Sequence, residues 1–243
     1  MNRSLILALT VLAALSSSAE AQKFDGILEF VPAGCEVTRN CVLKNDFGFI
    51  DASGQGFLAK AGDKTDGASI PDWAQPFIGK PFEANYIRAA VIHDHYCDRR
   101  VHTWLKTHGV FYEALRASGV EEAVALAMYY AVLVGGPKWI ELIRGKPCGL
   151  GTSCVFEVKT VILPSNGKVL EVDDKRFYAR SSRFDDPKIQ QEIKAASDLI
   201  SEHRGNVSRD QLLARAKNFL PGDVFLNSGS TLTADAVILS EIQ

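Results

Sequence analysis

The sequence predicts an α+β protein with a strand-rich N-terminal part, a core of three helices and a mixed α/β C-terminal extension. Three observations carry that expectation. Between Lys23 and about Lys64 the chain falls into short β-rich runs separated by Gly, Asn and Asp. From about Pro71 to Ile143 the apolar residues recur at helical spacing. Beyond Val155 strand-like and helix-like stretches share the remaining length, with no internal repeat and no low-complexity tract.

Residues 1–21 stand apart from that fold. Arg3 is followed by an apolar run from Leu5 to Leu15, a Ser-rich stretch and an Ala19-Glu20-Ala21 site. That order is the pattern of a cleaved secretory signal, and the run is short for a membrane span. The expected mature chain therefore starts at Gln22 and is exported, to the periplasm or beyond. No later stretch is apolar for long enough to cross a membrane. A composition of 47% hydrophobic and 23% charged residues is that of a globular protein with a core. The net charge of −2, with no run of basic residues, speaks against nucleic acid as a partner.

The N-terminal strands are expected within Gly26–Pro32, Cys41–Asp51 and Gly56–Gly62. A loop at 64–73 follows, in which Asp66-Gly67 suits a tight turn and Ser69 with Pro71 leads into a helix. Asp66 is there a candidate oxygen ligand for a hard cation. The first core helix, about 82–98, places Tyr86, Ala90, His93 and Cys97 on one face, with Asp94 one position round. The second, about 99–117, lines up Val101, Trp104, Leu105, His108, Phe111, Tyr112 and Leu115. The third, about 120–134, is apolar nearly all round and should be the buried one; Gly135-Gly136-Pro137 ends it. Residues 22–147 make up the expected core domain and 148–243 the extension. The extension begins with a hairpin turning at Pro164–Gly167. Helical patterns at about 187–203 and 208–219 follow, the second capped by Ser208, and the tail is strand-like.

Five cysteines suit an oxidising compartment. The close pairs Cys35/Cys41 and Cys148/Cys154 would each close a short loop, although spacing does not fix connectivity. If both form, Cys97 is left over. His93 and His108 face inward from adjacent helices. Each has a bland alternative, as a hydrogen-bonded core histidine, whereas two together with Asp94 suggest a site. His95 and His102 fall off these faces and are expected in solvent.

The Thr65-Asp66-Gly67-Ala68-Ser69-Ile70-Pro71 loop is followed by His93-Asp94-His95-Tyr96-Cys97, and then by His108–Leu115 and Ala127–Gly136. Over roughly residues 57–137 this order resembles a family of uncharacterised bacterial and bacteriophage proteins. It is more distantly similar to the secreted prokaryotic phospholipases A2. That likeness implies a phospholipase-like three-helix core and hydrolysis of lipid esters at a phospholipid or membrane surface. It makes Asp66 and Asp94 calcium ligands, His93 the general base and Tyr96 a packing or hydrogen-bonding partner. Ala68 and Ala90 stand where the phospholipases carry bridging cysteines, and His108 stands where they carry an Asp that orients the base. A neutral His108 could still set the tautomer of His93, but could not stabilise its charged form as a carboxylate does. Two alternatives remain. His93, Cys97 and His108, with Asp94, make a softer ligand set that suits zinc. The polar cluster could also be the hydrogen-bonded core of a non-catalytic cell-envelope binding module.

Overall fold

A computed structural model describes residues 22–68, 70–143, 161–163, 166–233 and 237–239. The expected signal segment and the Cys148/Cys154 pair lie outside the described residues.

The N-terminal part runs β1 (Lys23–Asp25), β2 (Phe30–Val31), a short helix α1 (Cys35–Thr38), β3 (Cys41–Leu43), β4 (Phe47–Ile50), β5 (Gly56–Ala59) and β6 (Lys64–Thr65). These strands make two antiparallel sheets, ordered β1-β4-β5 and β2-β3-β6. The stretch Cys41–Asp51, expected as one strand, is therefore divided between two sheets. Asp46 holds the break between them, accepting hydrogen bonds from the Ala61 backbone and the Lys60 ammonium. A disulfide joins Cys35 of α1 to Cys41, the first residue of β3.

The helical core comprises a short α2 (Gln75–Ile78), then α3 (Ala84–Arg99), α4 (Trp104–Ala117) and α5 (Glu122–Gly135). The second core helix begins five residues later than its apolar spacing suggests. Arg100 turns left-handed to close α3, and the Thr103 side chain caps α4 by accepting from the Lys106 backbone N–H. Val101 thus falls in the connection and is 55% exposed, and Leu105 lies at the wet edge of the stripe. As expected, α5 is buried along nearly its whole length.

The end of the expected core domain, read as helical to Ile143, is instead a strand, β7 (Lys138–Ile143). The extension holds β8 (Val161–Leu163), β9 (Lys168–Val172), β10 (Lys175–Arg180), α6 (Pro187–Glu202), α7 (Arg209–Phe219), α8 (Val224–Asn227), β11 (Thr231–Thr233) and β12 (Val237–Leu239). Residues 155–160 and 164–165 of the expected hairpin lie outside the described residues, and the described strands on either side of its turn have other partners. Strand β8 pairs parallel with β12, and β9 pairs with β10 across Asp173-Asp174. Both of those residues have positive φ, 47° and 62°, the requirement of a two-residue hairpin turn whose twist matches its strands. The larger sheet is ordered β11-β7-β10-β9. Ser208 caps α7 in a reciprocal capping box with Gln211.

Two apolar clusters form the interior, and α5 feeds both. Met128 and Val132 join the α3, α4 and N-terminal strand side chains, including Phe49, Ile92 and Leu115. Leu126, Tyr130 and Leu133 join Ile189, Ile193 and Ile200 of α6 with Tyr178 of β10. Among the described residues no helix is long and apolar enough to cross a membrane.

Candidate functional site

The α3 helix delivers His93 and Cys97 one turn apart on its buried face, and α4 delivers His108 opposite them. His93 Nε2 lies 2.9 Å from His108 Nδ1, and Cys97 Sγ lies 3.5 Å from the same His93 nitrogen. On its far side His108 Nε2 is 3.1 Å from the carbonyl oxygen of Pro137, just after α5. A carbonyl only accepts, so His108 Nε2 carries the hydrogen. A neutral His108 then has a bare Nδ1, which accepts from His93 Nε2–H. The proton-free atom of neutral His93 is thereby Nδ1. The opposite arrangement would set two lone pairs against each other at 2.9 Å.

Both imidazoles are held neutral. Burial pushes His93 down to about 4. Burial, with the neighbouring His93 and Lys138 adding to it, pushes His108 well below the usual histidine range. Burial, with the charges of Asp94 and Asp98, pushes the Cys97 thiol well up, so it is protonated as it stands.

A cavity of about 490 Å³ opens above the cluster. Asp66, His93, Asp94 and Cys97 all line it, while His108 sits behind His93 and is fully buried. The four residues expected at a site are thus brought together, three at the cavity and one beneath it. Asp94 Oδ1 lies 3.9 Å from His93 Nδ1. Its other oxygen accepts from the Thr65 hydroxyl at 2.6 Å, and Thr65 in turn accepts from Gly67 N–H at 3.1 Å. Burial raises the Asp94 carboxyl well above the usual range; the Thr65 hydrogen bond opposes this, and the charges of Asp66 and Asp98 add to it.

His95 and His102 correct the expectation that they stand in solvent. His95 Nδ1 is 2.5 Å from Asp63 Oδ2, and the His102 ring stacks on Tyr96 with centroids 5.1 Å apart. Tyr96 is itself buried and accepts from the Leu58 backbone N–H at 3.0 Å, tying α3 to β5.

Several contributors escaped the sequence reading. Thr65 opens the Thr65–Pro71 loop, yet nothing local says that its hydroxyl reaches Asp94. The Pro137 carbonyl has no side-chain signal at all. Lys64, Arg100 and, from the extension, Lys168 and Arg180 also line the cavity, and only the folded chain brings them there. The lining includes apolar groups too, among them Phe111, Val132 and Phe184. These three also line an adjoining apolar cavity of about 30 Å³.

Fold and site together define an α+β protein with a neutral His–His–Cys cluster beneath a mixed polar and apolar cavity. Residues 41–132 match a family model described as "Protein of unknown function (DUF1353)", a span that takes in the Thr65–Pro71 loop and runs through α3 and α4 to Val132 of α5. Two relatives come from Sinorhizobium fredii. The uncharacterized protein y4iH is 52% identical over 114 residues, 47% of this chain and 48% of that one. The uncharacterized protein y4jT is 33% identical over 174 residues, 67% of this chain and 52% of that one. The chain spans about half the length of the curated relatives it matches. No solved structure matches it.

Proposed function

We propose that this protein is an exported hydrolase of lipid esters in which His93 is the general base. The observation that carries the proposal is the relay Pro137 C=O, His108, His93, which leaves His93 Nδ1 proton-free on the side of Asp94. A general base has to be neutral and within reach of the proton it takes. Water beside Nδ1 would lose its proton to His93 as it attacks the ester carbonyl. His108 keeps the tautomer fixed throughout, because its own proton is committed to Pro137. It cannot offset the positive charge that then forms on His93; a carboxylate at Asp94, 3.9 Å away, is the group placed to do so.

The cavity suits an amphiphilic ester. Lys64, Arg100 and Lys168 favour an anionic head group, and the Phe111, Val132 and Phe184 wall favours the apolar part of the ester. A calcium ion held by Asp66 and Asp94 would stabilise the oxyanion, and its charge would favour the ionised Asp94 against the burial, and the lesser Asp66 and Asp98 charges, that raise its carboxyl. Export is supported by the signal pattern of residues 1–21 and by the Cys35–Cys41 disulfide, which suits an oxidising compartment.

The test is release of fatty acid from phospholipid vesicles and short-chain esters, with and without calcium. Wild-type protein should turn over, and His93→Ala should lose about 10²–10⁴-fold while keeping its circular dichroism. Vesicle binding with no turnover under any condition would replace the hydrolase with a non-catalytic envelope binding module. Turnover untouched by His93→Ala would place the chemistry elsewhere.

A further inference from the structure

Two nitrogens of the relay and the Cys97 sulfur also converge as metal ligands. Ligand atoms of His93, Cys97 and His108, one from each, lie within 4.8 Å of one another. Around a tetrahedral zinc ion with Zn–N near 2.0–2.1 Å and Zn–S near 2.3 Å, two nitrogens stand roughly 3.3 Å apart and a nitrogen and a sulfur roughly 3.6 Å. The sulfur–nitrogen pair is already at 3.5 Å, and the nitrogen pair, at 2.9 Å, has to open by only a few tenths of an ångström. Two imidazoles and a thiolate are soft enough to take zinc rather than calcium.

The surroundings complete such a site. Metal-bound histidines give their second N–H to an outer acceptor, which fixes the ring. His108 already does so, with Nε2–H directed at Pro137 O. For His93 the outer partner would be Asp94, whose Oδ1 faces the other ring nitrogen at 3.9 Å. His93 and Cys97 both line the cavity, so the fourth coordination position opens into it.

We propose that His93, Cys97 and His108 bind zinc, and that zinc occupancy and the base function of His93 exclude each other. The exclusion follows from proton bookkeeping. Without metal, neutral His93 carries its one proton on Nε2 and is bare at Nδ1. Zinc binds through the Nε2 lone pair, so that proton moves to Nδ1, toward Asp94. The Cys97 thiol loses its proton to solvent as the Zn–S bond forms, and one proton is released overall. With Nδ1 protonated, His93 can no longer accept a proton from water. The exclusion rests on the hydrolase reading above; the metal site does not.

Full-length protein, stripped with a chelator, is titrated with cobalt(II) and then zinc(II). One equivalent of cobalt should give the near-ultraviolet band of a cobalt–thiolate bond, which zinc displaces. Cys97→Ser and Cys97→Ala should lose the band while melting as the wild type does. A band that survives both variants would assign the metal to other thiols, and no band or stoichiometric zinc in the wild type would overturn the site. Long-range proton–nitrogen spectra of His93 test the exclusion without any substrate. Zinc should move the ring proton from Nε2 to Nδ1, and binding without that shift would overturn the exclusion. If the ester assay succeeds, zinc should abolish wild-type turnover, and turnover that persists with one equivalent of zinc bound would overturn the exclusion. A failed assay would count against the hydrolase alone.

Discussion

Gly67 shows how much of the cavity wall hangs on single atoms. Its φ is +92°, and a Cβ there would meet Phe82 Cε2 at 2.8 Å and Pro81 Cβ at 2.9 Å. Its N–H supports the Thr65 hydroxyl, which holds Asp94. Gly67→Ala should therefore cost about 1–3 kcal/mol, from left-handed backbone strain and the collision with Pro81 and Phe82. Urea unfolding measures the cost; a change below about 0.5 kcal/mol would be ordinary for a surface substitution and would mean that the loop relaxes freely. The Asp66-Gly67 turn was legible because a tight turn has a local residue signature. His93 and His108 were legible for a different reason, since helical periodicity alone puts both on inward faces. Their mutual 2.9 Å contact and the Pro137 acceptor were not legible, because both depend on where α4 and the end of α5 come to rest.

Helices declared themselves in the sequence more fully than strands did. The face of α3 is set within the helix, so Tyr86, Ala90, His93 and Cys97 are all buried as their spacing requires. A strand's partner lies elsewhere in the chain. Lys168–Val172 therefore looked ready to fold back on the residues before Pro164, and instead pairs with Lys175–Arg180. The Asp173-Asp174 step was the available signal, since Asp tolerates positive φ better than most residues do. One link between elements gives a pH prediction. Asp51, just past β4, is 1% exposed and accepts from Lys106 of α4 at 2.6 Å, and from Ser53 and Gln55. Burial alone would raise its carboxyl, but the Lys106, Ser53 and Gln55 hydrogen bonds prevail and hold it at about 2, below the ordinary 3.8. A depressed folded-state value means stability that is complete above the ordinary value and lost as pH falls through about 2. Wild-type stability from urea melts should thus drop between about pH 4 and 2 more steeply than that of Asp51→Asn. Parallel slopes would show that the Lys106–Asp51 tie contributes nothing to folding.

At the scale of the whole molecule, α5 decides whether the helical core and the extension are one folding unit. One part of its surface packs Met128 and Val132 against the α3–α4 side, and another packs Leu126, Tyr130 and Leu133 against α6 and β10. Tyr130 also donates to Glu192 of α6 at 2.6 Å, a carboxylate that Arg215 of α7 pairs with at the same distance. The extension therefore covers apolar surface that the core helices cannot bury alone, and it supplies Lys168 and Arg180 to the cavity wall. An apolar helix shared by two clusters should couple them into one cooperative transition. Leu133→Ala, at a fully buried position, should cost about 2–5 kcal/mol, and the loss should appear equally in the amide exchange of α3 and of α6. If α6 loses protection while α3 keeps its wild-type value, the extension is a separate unit docked on the core. The cavity would then be assembled by that docking, and changes in the extension would alter the site without unfolding the helices that carry His93 and His108.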